Sequence, residues 1–152
     1  MNNYSIRLFY FCSILCLFLT GCSGGLKVNE TEIIVTMDGQ PLEGVSVNLI
    51  PKDNNSVTAF GMTDSQGKCQ TQTLLGQANG GTVIGEYVVT LSKTETKKTG
   101  KLLEGTNGSK IEETVSVELL PTIYTNAQTT PLTIVVKSGK NSFPFELNSQ
   151  KR

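Results

Sequence analysis

The sequence predicts an all-β fold, a two-sheet antiparallel sandwich of seven or eight strands. Short runs rich in β-branched and aromatic residues alternate apolar and polar at period two, as half-buried strands do. Clusters of Asp, Asn, Gly and Pro punctuate those runs roughly every eight to twelve residues, the rhythm of a sandwich. Beyond the first two dozen residues, nothing sustains the 3.6-residue period of an amphipathic helix.

The elements follow in order. Glu32–Met37 is a β-branched first strand, and Asp38-Gly39-Gln40-Pro41 is a turn whose Asp-Gly pair tolerates positive φ. Val45–Ile50 alternates, so Val45, Val47 and Leu49 share the core face. After a polar turn at Pro51–Ser56, Val57–Thr63 and Lys68–Leu74 read as a hairpin about Asp64-Ser65-Gln66-Gly67, with Gly67 at a left-handed position. Gly76–Gly81 is a loop with room for one helical turn. Gly85–Leu91 is the clearest strand. Tyr87, Val89 and Leu91 share one face, and the tyrosine is placed to pack its ring inside while its hydroxyl bonds a neighbouring loop. Thr114–Leu119 is a strand or an extended crossing. Leu132–Lys137, a turn at Ser138–Asn141 and a return at Ser142–Leu147 close the domain. Phe143, Phe145 and Leu147 face the core, and Pro144 assigns that last strand to a sheet edge. Lys93–Glu113 stands apart, being polar, glycine-containing and poor in apolar residues. It reads as a mobile loop within a domain that spans 30–149.

Ahead of the domain lies a different kind of segment. Arg7 precedes an apolar run of about twelve residues, Leu8–Leu19, inside the range of a signal-peptide core and too short to span a bilayer as a helix. The run closes on Leu19-Thr20-Gly21-Cys22, which resembles the lipobox of bacterial lipoproteins. The resemblance implies that 1–21 is a cleaved signal peptide, that Cys22 is lipidated on sulfur and amino group, and that 22–29 is a tether. Two or three acyl chains hold a protein stably where one does not. Ser23, rather than an aspartate, follows the cysteine; by resemblance to sorting rules in double-membraned bacteria this favours the outer membrane.

Composition narrows function. Thirteen basic residues balance 13 acidic ones, and removing Arg7 with the leader gives a mature charge near −1. No basic face invites nucleic acid. Cys12 and Cys16 leave with the leader and Cys22 is consumed by lipid, so Cys69 remains alone and no intrachain disulfide is expected. In Lys68-Cys69-Gln70 it reads as a small core residue. Histidine is absent, which removes Ser-His-Asp and Cys-His chemistry and the commonest zinc ligand. Tryptophan is absent as well.

Four ordered pieces carry a family resemblance. They are Val35–Val45 with its Asp-Gly-Gln-Pro turn, Thr63-Asp64-Ser65-Gln66-Gly67-Lys68, Gly85-Glu86-Tyr87-Val88-Val89-Thr90, and Leu120-Pro121 through Gly139-Lys140-Asn141 to Phe143–Leu147. Together they resemble the carboxypeptidase regulatory-like, transthyretin-like domains, and in order they are similar to small surface lipoproteins of planctomycete bacteria. The resemblance implies an Ig-like or transthyretin-like sandwich and brings no shared catalytic residues. The transthyretin-like hydrolases depend on histidines, which this chain lacks.

The expected function is a non-enzymatic binding or structural module of the cell envelope, anchored through Cys22 to membrane lipid, with a protein or polysaccharide partner. The alternative is a carbohydrate-binding module, for which Phe60 and Tyr124 are the available stacking aromatics. A remoter alternative is an enzyme using Asp53, Asp64, Glu112 or Glu113, although adjacent Glu112 and Glu113 point to opposite faces of a strand. Asp53-Asn54-Asn55 and Asp64-Ser65-Gln66 offer oxygen ligands without the Asp-x-Asx-x-Asx-Gly pattern of a calcium loop, so neither metal nor cofactor is expected.

Overall fold

The structure, a computed structural model, describes residues 26–54, 56–73 and 80–150. The leader, the lipobox and most of the loop read at Gly76–Gly81 lie outside the described residues. Its strands are β1 (Val28–Asn29), β2 (Thr31–Met37), β3 (Gln40–Pro41), β4 (Ser46–Pro51), β5 (Ala59–Met62), β6 (Lys68–Gln70), β7 (Gln72–Thr73), β8 (Thr82–Val83), β9 (Gly85–Ser92), β10 (Thr94–Glu104), β11 (Lys110–Glu118), β12 (Thr133–Val136) and β13 (Asn141–Leu147). One helical turn, α1 (Thr122–Thr125), interrupts them.

Two sheets pack face to face. One runs β12-β9-β4-β5-β7; in the other β13 lies on one side of β2, with β3 and β6 on the opposite side. The period-two pattern places the core: Val45, Val47, Leu49, Tyr87, Val89 and Leu91 from one sheet meet Ile33, Val35 and Leu147 from the other, each buried. Alternation marks Val45, Val47, Leu49, Tyr87, Val89, Leu91 and Leu147, whereas Ile33 and Val35 read only as part of a β-branched strand. Phe143 and Phe145 pack on the same core from the edge strand, half-buried.

Three departures from the expected topology have physical causes. The 68–74 return strand is not one strand. β6 pairs with β2 in one sheet, while β7 pairs with β5 in the other, so the chain changes sheets at Thr71. The crossing is held by buried threonines: Thr71 Oγ1 donates to the Thr31 carbonyl at 3.1 Å and meets Thr82 Oγ1 at 2.7 Å, while Thr31 Oγ1 donates to the Asn29 carbonyl at 3.0 Å. If Thr71 gives its proton to Thr31, Thr82 must be the donor to Thr71, and every hydroxyl is used. The 142–147 segment does not return beside 133–136 either. It crosses to the other sheet and pairs parallel with β2, from Asn141 opposite Thr31 to Leu147 opposite Met37, so the sandwich is not wholly antiparallel. Asn141 closes that crossing, accepting from Lys137 N and donating to the Lys137 carbonyl. Pro144 nonetheless sits on an edge, as its missing N–H requires. Finally, the folded domain takes in residues before 30, because β1 pairs with β8 and Asn29 is buried.

The turns obey their residues. Asp38 (φ 49°) and Gly39 (φ 80°) both take positive φ to join β2 to β3, the Asp-Gly hairpin geometry. Thr63 clasps the next turn, accepting from Val45 N at 2.9 Å and donating to the Leu42 carbonyl at 2.7 Å.

Candidate functional site

The sandwich has two poles. At one, the chain enters through β1, where Asn29 Oδ1 accepts the Gly139 N–H at 3.0 Å and the first residues of β9 lie beside the end of β12. At the other, β9 ends at Ser92 opposite Ser46, and the chain runs on with one intervening residue into β10. The segment 93–113, read from sequence as a structureless mobile loop, is instead most of a β-hairpin. β10 and β11 pair antiparallel from Thr94–Glu118 at the base to Glu104–Lys110 at the tip. The tip turns on Gly105–Ser109, with Gly105 N donating to the Ser109 carbonyl at 2.7 Å. All eleven residues of β10 are exposed, and β10 and β11 form a sheet of their own. The hairpin therefore projects from the pole opposite the chain's point of entry.

Its base is built around one carboxylate. Glu118 accepts from Ser92 Oγ at 2.7 Å, Lys93 N at 2.8 Å and Leu120 N at 3.0 Å, tying β9, β10 and the end of β11 together. Lys93 Nζ adds a bond to the Glu43 carbonyl at 2.7 Å. Burial pushes the Glu118 carboxyl up, but the hydrogen bonds from Ser92, Leu120, Lys93 and Leu119 together outweigh it and hold the group below the usual carboxylate range. A carboxyl depressed in the folded state stabilises above its unfolded pKa and loses that contribution as pH falls through its folded value. Amide protection factors at the hairpin base, taken against the intrinsic exchange rate at each pH, should thus fall from roughly pH 5 downward. A Glu118→Gln variant should exchange faster already at pH 7 and show a flatter pH profile. Identical profiles for the two proteins would remove Glu118 from this role.

The hairpin's two faces differ. Ile111, Val115 and Val117 alternate to one side of β11, Leu103 opposite Ile111 joins them from β10, and Leu119 continues the stripe beyond the base. Four of the five stand in water, at 42% (Leu103), 58% (Ile111), 44% (Val115) and 41% (Leu119) exposure. The charges of that face are Glu95 and Lys97, paired at 3.6 Å, and Lys101 and Glu113 at 3.9 Å. The other face is polar apart from Leu102, with Lys98 and Glu112 paired at 2.8 Å. Three β10 residues around Gly100 (φ 77°) lie opposite Glu113 alone, a bulge.

The other sequence candidates do not converge. Asp53 Oδ1 accepts Ser56 N in a surface turn, and Asp64 Oδ1 accepts Gln66 N and Lys68 N to shape its own turn. Glu112 and Glu113 take opposite faces of β11, as alternation predicts. Among the described residues no three His, Cys, Asp or Glu cluster as a metal site would need. Tyr124, read as an exposed stacking aromatic, is buried with its hydroxyl 3.4 Å from Asn148 N, because α1 turns it into the core; Phe60 is half-buried. Cys69 is buried on β6 where Gly61 leaves room for its sulfur, and burial, with the Asp64 charge adding, pushes its thiol up to about 11. It is a core residue, not a nucleophile. An open cavity of about 600 Å³ lies against α1, lined by Thr122, Ile123 and Asn126 among others, and a second of about 480 Å³ lies between β12 and β13 beside Lys137 and Lys140. Neither brings a carboxylate among its described lining residues. Leu19, Thr20, Gly21 and Cys22 lie outside the described residues.

No family model matches this chain, and no curated protein matches it. Among solved structures it is similar to a 9R-lipoxygenase from Cyanothece PCC8801, at 10% identity and a TM-score of 0.39, over 79% of this chain and 16% of that one.

Proposed function

We propose that this chain is a lipoprotein whose β-sandwich is a non-enzymatic binding or structural module of the cell envelope, with the β10–β11 hairpin as its presenting element. The observation that carries this reading is the position of Leu19-Thr20-Gly21-Cys22. Cys22 precedes Leu26 by four residues, so at most about 14 Å of chain separates it from the entry pole, while the hairpin leaves the opposite pole. An acylated Cys22 would seat the sandwich on the membrane and hold the hairpin away from it. Among the described residues no helix is long and apolar enough to cross a membrane, so the lipid would be the means of attachment for this part of the chain. The proposed family is that of the carboxypeptidase regulatory-like, transthyretin-like domains, supported by the ordered turn and strand pieces that carry the resemblance.

Fractionation and mass spectrometry of the N-terminal peptide test this. The wild type should pellet with membranes and yield a peptide beginning at a diacylglyceryl-modified Cys22. Cys22→Ala should lose the modification and the mature, lipid-anchored form. An unmodified Cys22 in membrane-extracted wild type would overturn the reading.

A further inference from the structure

We infer that the entry pole is itself a lipid-binding surface: Leu26 and Ile84 enter the bilayer interface beside the acylated Cys22, while Lys27 and Lys137 meet lipid phosphates. The inference rests on the anchoring reading above. It adds what an anchor alone does not supply, a fixed orientation of the sandwich on its membrane.

The first argument is reach, and it selects the occupant. Cys22 precedes Leu26 by four residues, at most about 14 Å of chain. β1 pairs antiparallel with β8, Val28 opposite Val83, so Leu26 and Ile84 continue the two strands past the same end of that pair. A bilayer that holds Cys22 therefore lies within one short stretch of chain of both side chains. A single point of attachment limits distance but sets no orientation, so the protein surface beside it does.

The second argument is what that surface exposes. Ile84 is 49% exposed and Leu26 38%, although both are large and apolar. Moving such side chains from water into the headgroup and acyl boundary is favourable in proportion to the apolar area removed from water.

The third argument is charge. The carboxylates at this pole are engaged within the protein. Glu30 pairs with Lys140 at 3.0 Å and Glu86 with Lys52 at 3.8 Å. Asp53 accepts Ser56 N at 2.9 Å, and Glu32 accepts the Ser142 hydroxyl at 3.2 Å. Lys27 and Lys137 are exposed and have no ion pair among the described residues, so the uncommitted charges here are positive. An ammonium on a long apolar stem suits this depth, because the stem lies along acyl chains while the head stays wet at the phosphates.

The test uses full-length lipidated protein, extracted from membranes and reconstituted in vesicles of phosphatidylethanolamine and phosphatidylglycerol. Single cysteines carry a fluorophore at Ile84, at Ser65 in the turn of the opposite pole, and at Val115 on the hairpin. All three positions are exposed, so the sandwich folds, and Cys69 is buried and does not compete. Quenching by aqueous acrylamide should fall at Ile84→Cys to about half its value at Ser65→Cys or lower, because the bilayer closes the half-space that the label faces. A nitroxide carried on the acyl chain near the headgroup should quench Ile84→Cys and neither of the others. Leu26→Glu, or Lys27→Glu with Lys137→Glu, in the same chain should return the Ile84→Cys label to the Ser65→Cys level of aqueous quenching. Three results in vesicle-bound protein would overturn the lipid contact and leave the anchoring intact. They are aqueous quenching at Ile84→Cys equal to that at Ser65→Cys, shielding from both quenchers as a second copy of the chain would give, and lipid quenching at Val115→Cys equal to that at Ile84→Cys. Protein that carries no lipid and fails to float with the vesicles would overturn the anchoring instead, and the lipid contact with it.

Discussion

Replacing Tyr87 with alanine is expected to cost the domain about 4 kcal/mol, the middle of the range for deleting a buried aromatic. Tyr87 lies on β9, the strand flanked by β12 and β4, opposite Ile134 and Pro51, and no part of it reaches water. Removing the ring leaves a cavity between sheets whose strands are fixed by hydrogen bonds on both sides, so the site cannot collapse to fill it. The hydroxyl adds a second, smaller contribution by donating to the Val83 carbonyl at 2.8 Å, which ties β8 to the start of β9. Burial raises the phenol's pKa, the Ser56 hydroxyl opposes that shift and the Asp53 charge adds to it, so the group remains a neutral donor at physiological pH. Tyr87→Phe should therefore cost about 1 kcal/mol, the value of one hydrogen bond. Urea unfolding of the two variants separates ring from hydroxyl. Equal losses would show that the ring's packing is not what the site contributes.

That tyrosine was legible before any coordinates, and the reason is general to this fold. A strand buried on one face writes its orientation into every second residue, so Val45, Val47, Leu49, Tyr87, Val89 and Leu91 declared the core together. Turns were legible for a different reason, since Asp38-Gly39 and Asp64–Gly67 need conformations or side-chain acceptors that few other residues supply.

What failed was pairing at long range. Local sequence says that 68–74 and 142–147 are extended; it does not say which sheet each joins. The sheet change at Thr71 depends on hydroxyl partners 40 and 11 residues away, and the parallel β13–β2 pair joins segments more than a hundred residues apart. The hairpin was missed for the opposite reason. Its alternation is visible in Ile111, Glu113, Val115 and Val117, and Asn107-Gly108 is a turn signal at its tip. Polar residues throughout β10 hid these cues, because neither face of that strand is buried in the described chain and burial is what makes a strand read as one. The candidate site was thus the least legible part of the fold, because no other strand of the described chain pairs with it.

Gly67→Ala is expected to destabilise the domain by about 3 kcal/mol, and Gly39→Ala by only about 1 kcal/mol. Both glycines have positive φ, at 74° and 80°, and so share the conformational cost of placing an L side chain there. They differ in surroundings. A methyl group on Gly39 would meet nothing, whereas one on Gly67 would press on the Val35 carbonyl oxygen and lie 3.1 Å from Leu42 N. Those two atoms hydrogen-bond each other at 3.0 Å, joining β2 to the chain leaving β3. The new methyl must wedge that bond apart or push the turn away. Retreat is blocked because Gly67 N donates to the Asp64 carbonyl at 2.9 Å and Gly67 O accepts from Val35 N at 2.8 Å. The extra cost of Gly67→Ala is therefore a broken backbone bond at a buried position plus displaced chain, roughly 2 kcal/mol beyond the shared strain. Thermal unfolding should separate the variants by about 8 °C in a domain of this size. Equal melting temperatures would mean that φ alone sets the cost, and that docking the Asp64–Gly67 turn onto β2 contributes nothing to holding the two sheets together.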